Sequence, residues 1–312
     1  MDNLIINCAV IGYGNLGRAC REQILKRPDE FNLAGVFSRR KVQGTIPLDK
    51  LGDYRGEIDV ALFCGGSADD APEMVPYLNK LGLSTVDSYD NHGAIAEYIN
   101  TVKAATETSG TTAIAGAGWD PGYLSVQRIL CKALMPNGTH NVFYGGKKGG
   151  LSMGHSNAIK TVPGVVDACQ FTLTRPDSLA AALRGKNVPA NDKHKRLCYV
   201  VAKPGKENAI ATQIRGMAGY FKDQITQIRF VTPRQLEKIY TQSHSGHLIS
   251  TDDNAKINLE LTMKSNPLFT ANAMLAYAKA NKIMQQKGQS GVFTCAEVPP
   301  AYLVGGQTYF EF

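Results

Sequence analysis

Three glycines with the spacing G-x-G-x-x-G lie near the start of the 312-residue chain, at Gly12, Gly14 and Gly17. They follow an apolar run from Leu4 to Ile11 and open an amphipathic segment. Between a strand and a helix, such glycines permit a tight turn, close backbone approach to a pyrophosphate and close packing of helix on strand. The pattern favours dinucleotide binding over a structural turn. The predicted contacts are Gly12, Tyr13, Gly14, Asn15, Leu16 and Gly17.

A serine and two arginines, Ser38, Arg39 and Arg40, stand about 20 residues beyond the glycines, at the end of the second predicted strand. A carboxylate at this position would bind the ribose hydroxyls of NAD and repel a 2′-phosphate. A hydroxyl and two guanidiniums can bind that phosphate through charge-assisted hydrogen bonds. The sequence therefore predicts NADP, against the alternative that the two arginines form an ordinary solvated surface.

Later strand ends carry further candidates for ligand contacts. Small residues follow the third predicted strand at Cys64, Gly65, Gly66 and Ser67, where an ordinary strand-to-helix turn is an equal alternative. Asp90 and Asp120 follow the next two strands. Because the carboxyl ends of parallel strands face the ligand crevice, both aspartates are expected to meet a substrate beside the nicotinamide. Each could also cap the helix after it.

The elements that must position these residues form two patterns. Short β-rich runs alternate with helical segments in the first third, which predicts a doubly wound parallel sheet of the Rossmann type. Beyond Trp119, apolar residues at every second position from Ile257 to Met263 suit a sheet with one wet face, so a second, α+β domain with a mixed or antiparallel sheet is expected. We predict a dinucleotide domain over 1–118 and 267–312, and a substrate and dimerisation domain over 119–266.

Composition narrows the functional classes. The chain has 34 Lys+Arg against 27 Asp+Glu, a mild excess that is scattered along the sequence, so no nucleic-acid partner is expected. No run of about 18 apolar residues predicts a membrane span, and no targeting segment is recognised. Seven widely spaced cysteines predict reduced thiols in a cytoplasmic protein. No set of His, Cys, Asp and Glu has metal-ligand spacing, so no metal is expected.

Several segments, taken in order, closely resemble the meso-diaminopimelate dehydrogenase family. They are Ile11-Gly-Tyr-Gly-Asn-Leu-Gly17, Phe37-Ser-Arg-Arg40, Val86-Asp-Ser-Tyr-Asp-Asn-His92, Gly118-Trp-Asp-Pro-Gly122, Gly154-His-Ser156, His194-Lys-Arg196, Gly246-His247 and Gly288-Gln-Ser-Gly291. The glycine loop is shared by many families, whereas the aspartate segments combined with His194 to Arg196 are much more specific. The resemblance spans nearly the whole chain.

The resemblance implies a cytoplasmic homodimer that deaminates meso-diaminopimelate oxidatively at its D-configured carbon, with NADP as the oxidant. The products are ammonia and L-2-amino-6-oxopimelate, the open form of tetrahydrodipicolinate, and the reverse reaction serves lysine biosynthesis. The cofactor contacts that the resemblance implies are Tyr13, Gly14, Asn15, Leu16, Ser38, Arg39, Arg40, Gly66, Ser67 and Tyr89. The neighbouring residues predicted to contact the cofactor as well are Cys64, Gly65, Ser88, Asp90, Ala117, Gly118, Trp119, Asp120 and Pro121. The implied substrate contacts are Asp90, Asp120, Tyr144, Met153, Gly154, Thr172, Arg196, His244 and Asn266.

The chemistry of these residue types agrees with that implication. Arg196 can fork onto a carboxylate, Thr172 and His244 can add donors, and Asn266 can accept from an amine. Hydride transfer requires the substrate ammonium to lose a proton first, so Asp90 or Asp120 is the predicted base, and the sequence does not decide between them. For Thr172, Arg196 and Asn266 the function rests largely on the resemblance, because each could also be an ordinary structural or surface residue.

Two alternatives remain open. Tyr144 stands where some family members have Trp, and Met153 stands where some have Gln. The loop Gly146-Lys-Lys-Gly-Gly150 is also longer than in those members. These differences would make the substrate pocket less restrictive near the reacting end. They suit a broad D-amino-acid dehydrogenase as well as drift within a strict enzyme. A non-catalytic NADPH-sensing protein is the other alternative, although a sensor would not need a pocket for a zwitterion.

Overall fold

The computed structural model describes residues 5–67, 70–91, 93–146 and 148–306. The chain divides into two compact units, Met1–Gln127 with Pro267–Phe312, and Arg128–Asn266. Three residues of the sequence interpretation lie outside the described residues: Leu4 of the first apolar run, His92 of the matching segment that begins at Val86, and Lys147 of the Gly146–Gly150 loop. No described helix is both long enough and apolar enough to span a membrane.

The first unit is built on a parallel sheet whose described strands follow the order β14-β6-β5-β4-β1-β2-β3. Its strands are β1 (Ile6–Ile11), β2 (Phe31–Ser38), β3 (Ile46–Pro47), β4 (Val60–Phe63), β5 (Thr85–Asp87), β6 (Thr112–Ala115) and β14 (Gly291–Thr294). Its helices are α1 (Asn15–Leu25), α2 (Ala71–Lys80), α3 (Ile95–Ser109), α10 (Asn266–Gln286) and α11 (Pro300–Leu303), with a 3-10 helix over Leu48–Glu57. The strand order reverses between β1 and β4, where dinucleotides bind in this fold class.

Alternation along β1 explains why both faces of this sheet are covered. Cys8 and Val10 pack with the apolar side chains of α1 and α10, whereas Ala9 and Ile11 pack with those of α2 and α3. A strand with both faces buried must be apolar throughout, which is the pattern that the sequence shows here. The predicted doubly wound parallel sheet is therefore confirmed.

Helix α4 (Tyr123–Leu134) begins later than the sequence suggested. The sequence left open that Asp120 caps this helix, but the backbone N–H of Gly118 donates to the Pro121 carbonyl at 2.9 Å, and Gly122 has a φ of 128°. These features make a tight turn before the helix, and the Asp120 carboxylate accepts a hydrogen bond from the Ser125 hydroxyl at 2.8 Å. The alternative role for Asp90 is also wrong, since α3 begins five residues later without a side-chain cap.

The second unit contains two sheets, one mixed and one antiparallel. The mixed sheet has the order β11-β10-β9-β8, and the antiparallel sheet has the order β13-β12-β7. The strands are β7 (Thr139–Tyr144), β8 (Gly150–Ser152), β9 (Val165–Thr174), β10 (His194–Ala202), β11 (Thr226–Phe230), β12 (His244–Thr251) and β13 (Lys256–Met263). The helices are α5 (Met153–Lys160), α6 (Pro176–Leu183), α7 (Ala190–Lys193), α8 (Glu207–Gly216) and α9 (Pro233–Ile239). The predicted α+β class is confirmed, with both kinds of sheet present.

Strand register in the mixed sheet places polar residues from distant parts of the sequence side by side. Antiparallel pairing of β9 with β10 sets Thr172 opposite Arg196, and pairing of β8 with β9 sets Gly150 opposite Thr172. The neighbouring face positions Ala168, Cys198 and Val200 belong to a buried apolar cluster. One face of this sheet therefore changes from apolar to polar along β9 and β10.

Candidate active site

The glycine loop of the first unit has the shape that a pyrophosphate site requires. A Cβ atom on Gly17 would lie 2.0 Å from the Gly12 carbonyl oxygen, so only glycine lets α1 approach β1 this closely. Gly12 has a φ of +100°, and its own Cβ would meet the backbone of Cys64 and Gly65 at 3.2 Å. Gly14, the N-cap residue of α1, has no atom within 4 Å of the position of its Cβ. The first turn of α1 thus presents backbone N–H groups next to open space, as anion binding needs.

A cavity of about 1000 Å³ opens beside the end of β2, and Ser38, Arg39, Arg40 and Lys41 line it. The backbone N–H of Arg40 donates to the buried Ser38 hydroxyl at 3.1 Å, which fixes the strand-end turn. Both arginines are exposed. The three cationic side chains and the hydroxyl give this cavity the donor set that a phosphate monoester needs.

Asp70, which the sequence interpretation did not single out, pairs with one of these arginines. Its carboxylate accepts from Arg39 at 2.5 Å and from the backbone N–H of Gly66 at 3.1 Å. The bond with Arg39 and the Gly66 N–H hold the pKa of Asp70 below its usual value. Arg40 forms no ion pair with any residue that the structure describes. The two arginines therefore differ in how much of their charge remains uncompensated.

The residues of the loop after β4 differ in their exposure to solvent. Cys64 is buried, with its Sγ 3.6 Å from that of Cys20 in the core, so its thiol lies among apolar residues. Gly65 and Gly66 are exposed, and Ser67 is half-buried. The loop thus offers backbone rather than the cysteine side chain to a ligand.

The loops after β5 and β6 are tied together by a buried carboxylate, Asp87. It accepts from the backbone N–H groups of Tyr89 at 2.8 Å and Gly116 at 3.2 Å, and from the Tyr98 hydroxyl at 2.6 Å. Burial nevertheless raises the pKa of Asp87. Because both loops bond to one side chain, the segments that carry the two predicted catalytic aspartates are held in fixed positions at neighbouring strand ends.

Around this anchor the predicted contacts have distinct surroundings. Tyr89 is buried and its ring stacks on Tyr98 with centroids 4.0 Å apart, so its side chain belongs to the core. Asp90 is exposed, Trp119 and Asp120 are half-buried, and Ala117, Gly118 and Pro121 are buried. A Cβ on Gly118 would lie 3.4 Å from the Ser88 Cβ, which brings those two loops into contact.

In the second unit, Arg196 and Thr172 form the centre of a polar group. The guanidinium donates to the Thr172 hydroxyl at 2.6 Å, and burial lowers the pKa of Arg196, which remains a cation. Its Nε is buried and has no hydrogen-bond partner among the described residues. A half-buried guanidinium whose buried Nε donor is unused is suited to binding an anion.

Two histidines near this cation, His155 and His194, are neutral, and so is His244 at the start of β12. Burial and the charge of Arg196 lower the pKa of His155 to about 4 and that of His194 to about 3. Burial also lowers the pKa of His244, whose Nδ1 accepts from the Ser245 N–H at 2.9 Å. The His244 ring packs on Gly150, where a Cβ would come within 2.5 Å of it. Arg196 therefore carries a positive charge at neutral pH while these histidines carry none, and Lys193 adds a second positive charge near His194.

The remaining predicted substrate residues lie at the ends of elements. Tyr144 ends β7 and its ring stacks on His194, with centroids 5.6 Å apart. Met153 and Gly154 begin α5 and are exposed, next to His155. Asn266 begins α10, and its backbone N–H donates to the Gln242 carbonyl at 2.8 Å. Gln242 is two residues before His244 in the sequence. Among the residues described, no group of three or more His, Cys, Asp and Glu could hold a metal ion.

Comparison with known proteins identifies the family. The model of the diaminopimelic acid dehydrogenase C-terminal domain matches residues 118–265. Meso-diaminopimelate D-dehydrogenase of Corynebacterium glutamicum is 37% identical over 309 residues, which cover 96% of this chain and 95% of that protein. The chain belongs to the diaminopimelate dehydrogenase family.

Solved structures of diaminopimelate dehydrogenases and related enzymes share the whole fold. C. glutamicum diaminopimelate dehydrogenase in complex with diaminopimelate has a TM-score of 0.90 at 35% identity, covering 97% of this chain and 96% of that one. An engineered D-amino acid dehydrogenase bound to NADP⁺ has a TM-score of 0.86 at 34% identity, covering 96% of both chains. The resemblance found in the sequence motifs is thus confirmed over the full length of this diaminopimelate dehydrogenase family member.

Proposed function

We propose that the chain is an NADP-dependent dehydrogenase that deaminates meso-diaminopimelate oxidatively at its D-centre. The products are ammonia and L-2-amino-6-oxopimelate, which is in equilibrium with tetrahydrodipicolinate, and the reverse reaction contributes to lysine biosynthesis. The observation that carries the proposal is the part-buried Arg196–Thr172 pair, with a buried guanidinium Nε, in a chain whose relative of known structure binds diaminopimelate. A cation partly removed from water in this way is suited to the carboxylate that distinguishes this substrate from a simple D-amino acid.

The residues of the first unit fit a nicotinamide dinucleotide. The open N-terminus of α1 would bind the pyrophosphate, and Ser38, Arg39 and Arg40 would bind a 2′-phosphate. The neighbour bound to NADP⁺ supports this choice. The exposed backbone of Gly65 and Gly66, with Ser67, would line the cofactor, as would the loops from Ser88 to Asp90 and from Ala117 to Pro121. NADP specificity follows from the guanidiniums, since no carboxylate stands in their place at the end of β2.

The reaction begins with loss of a proton from the ammonium at the D-centre, so that the nitrogen lone pair can assist hydride departure. The bound nicotinamide supplies the hydride acceptor. The iminium that results adds water at carbon and then releases ammonia. Asp90 and Asp120 are the candidate bases because each follows a strand of the parallel sheet at its carboxyl end, where ligands bind in this fold class, and carries a carboxylate that can also pair with the ammonium.

Residues of the second unit would hold the distal, L-configured end of the substrate. Arg196 would bind its carboxylate, with Thr172 and His244 as further hydrogen-bond donors, and Asn266 would accept from its ammonium group. Since His155, His194 and His244 are neutral, they add polarity without adding charge. Arg196 would therefore supply the charge that balances the carboxylate. Tyr144, Met153 and Gly154 would line the remaining surface.

A broader D-amino-acid dehydrogenase is a second candidate. Met153 is 51% exposed at the start of α5, so it offers an apolar surface where a polar residue would select for a polar substrate. An engineered D-amino acid dehydrogenase also shares the fold. The two candidates differ in their dependence on Arg196, because a substrate without a distal carboxylate leaves that guanidinium without its partner.

We also propose that the enzyme acts as a cytoplasmic homodimer. Helix α4 carries exposed apolar side chains at Ile129, Leu130 and Leu134, the last 73% exposed, which supports burial against a second copy. The cysteines support the cytoplasmic location, since all seven lie within the described residues and none is in a disulfide. Sedimentation at micromolar concentration should give twice the mass of one chain, and a monomer would contradict the dimer.

Steady-state kinetics tests the proposed reaction. NADPH formation should be fast with meso-diaminopimelate and at least a hundredfold less efficient, in kcat/KM, with D-alanine or D-norleucine, because each lacks the distal carboxylate. NAD should replace NADP poorly. Equal efficiency with all three substrates would favour the broad enzyme, and NADPH binding without any substrate-dependent reduction of NADP would favour a sensor.

A further inference from the structure

Gln170 lies in the polar group around Arg196 and Thr172 in the second unit. It belongs to none of the sequence motifs and was not among the predicted contacts. It stands two residues before Thr172 in β9, so both side chains share one face of the sheet, and it is opposite Cys198 in β10. It is fully buried, at 0% exposure. An apolar residue would continue the cluster that Ala168, Cys198 and Val200 form on this face, so the amide at this position needs an explanation.

The hydrogen bonds of Thr172 provide that explanation. Gln170 Nε2 donates to the Thr172 hydroxyl oxygen at 3.4 Å, and the Arg196 guanidinium donates to the same oxygen at 2.6 Å. A hydroxyl has two lone pairs and one hydrogen. With both lone pairs accepting, the hydrogen of Thr172 must point to a third partner. None of the described residues accepts it.

The position of Gln170 is itself fixed. Its backbone N–H donates to the Ser156 hydroxyl at 2.9 Å, and that hydroxyl donates to the Ser152 carbonyl. Helix α5 is thereby hydrogen-bonded to β9 at Gln170 itself. The side-chain oxygen of Gln170 and the Nε of Arg196 are both buried without a partner among the described residues. Such orphaned atoms are uncommon in protein interiors, and two of them next to one hydroxyl mark a site arranged around a ligand.

We infer that Gln170 is a positioning residue that makes Thr172 a hydrogen-bond donor to the substrate carboxylate held by Arg196. The amide fills the second lone pair of the hydroxyl and so directs its hydrogen toward the anion. Without that donor, the hydroxyl could rotate and the carboxylate would lose one bond. This inference rests on the proposed function, since it takes the distal carboxylate of diaminopimelate as the ligand.

Kinetics of Gln170 variants test the inference. Gln170→Met keeps the length of the side chain and removes its donor, so the KM for meso-diaminopimelate should rise about tenfold, which is the loss of one hydrogen bond to a charged group. The kcat and the KM for NADP should stay within about twofold, because Gln170 does not touch the reacting carbon. Gln170→Glu offers only acceptors at neutral pH and would take the Thr172 hydrogen for itself, so its KM should rise further, about a hundredfold.

A double-mutant cycle separates positioning from packing. Thr172→Val removes the hydroxyl and keeps the side-chain shape, so Gln170→Met should raise KM less than about twofold further in that background. Cys169→Ala is the matched control, since Cys169 neighbours Gln170 on the opposite face, and it should leave the KM for meso-diaminopimelate unchanged. Thermal unfolding of each variant checks the fold, and if Gln170→Met does not fold, the same cycle is run with Gln170→Glu.

Two results would overturn the role of Gln170. One is a KM in Gln170→Met within about twofold of that of the unchanged chain. The other is a rise that persists in full on the Thr172→Val background. Absence of turnover of meso-diaminopimelate by the unchanged chain would instead contradict the proposed function, so the two failures are distinguishable.

Discussion

The two units bind charge in different ways. In the first unit, the glycine loop offers backbone N–H groups and the arginines at the end of β2 are exposed, one of them already paired with Asp70. In the second unit, Arg196 is half-buried near the neutral His155 and His194, and part of its guanidinium has no partner among the described residues. An exposed cation contributes little through any one contact, whereas a desolvated cation contributes much. Under the proposed function, this difference means that cofactor binding would be spread over many weak contacts, whereas recognition of the distal carboxylate would be concentrated at one residue.

The largest expected effect lies outside both charge sites, at the predicted bases. Asp90→Asn and Asp120→Asn each remove a carboxylate and keep its shape, and at least one should lower kcat by about 10²- to 10⁴-fold, the contribution of general base catalysis. Single-turnover NADPH formation measures it. Near-normal turnover in both variants, with altered affinity alone, would show that neither aspartate is the base.

Replacing the half-buried cation Arg196 should have the next largest effect. Arg196→Lys keeps the charge but loses the forked donors, so kcat/KM for meso-diaminopimelate should fall by about 10²- to 10³-fold. The KM for NADP should be unaffected. A loss of less than tenfold would mean that a point charge is sufficient and that the concentrated recognition described for the second unit is wrong.

The neutral histidines predict how stability depends on pH. Above pH 6.5, His155 and His194 are neutral in the folded and the unfolded chain. As the pH falls below 6.5, the unfolded chain takes up protons while the folded chain does not until about pH 4 for His155 and about pH 3 for His194. The unfolded state then binds more protons, so the free energy of unfolding falls, by on the order of 3 kcal/mol for His155 alone.

Denaturant unfolding at pH 7 and pH 4.5 measures this dependence, and His155→Gln should reduce its slope. An unfolding free energy that stays constant between those values would contradict the buried, neutral state of these histidines.

The smallest effects are expected at the exposed arginines. Arg40→Ala should raise the KM for NADP about tenfold, and Arg39→Ala only about threefold, because Asp70 already compensates part of the Arg39 charge. Neither should change the KM for NAD. If the two substitutions raised the KM for NADP equally, the proposed compensation of Arg39 by Asp70 would be wrong. If the double variant lost no affinity for NADP, the assignment of this cavity to the 2′-phosphate would be wrong.

The sequence predicted the first unit better than the second for a physical reason. The glycine loop is a local motif, in which the strand, the turn and the helix are contiguous, so its residues could be named before its geometry was known. Thr172 and Arg196 come together only because β9 pairs with β10, and the region around β9 has no clear alternation. Their assignment came from the resemblance.

The contacts that the sequence did not reveal are all non-local or hidden in a strand. Asp70 reaches back to Arg39, 31 residues earlier, and no spacing rule links them. Gln170 would have been found by counting two residues back from Thr172 along a strand, but a strand was only the alternative interpretation of Thr172 and its bounds were not predicted. The helix start at Asp120 was misplaced because an acidic residue before a proline also occurs in tight turns.

The stereochemistry of turnover tests the central claim most directly. Each isomer of diaminopimelate, meso, LL and DD, is supplied separately with NADP, and the initial rate of NADPH formation is followed. Oxidation at a D-centre, with an L-configured distal end bound at Arg196, predicts activity that is confined to the meso isomer. Comparable rates with the LL isomer, or no turnover of the meso isomer, would contradict it.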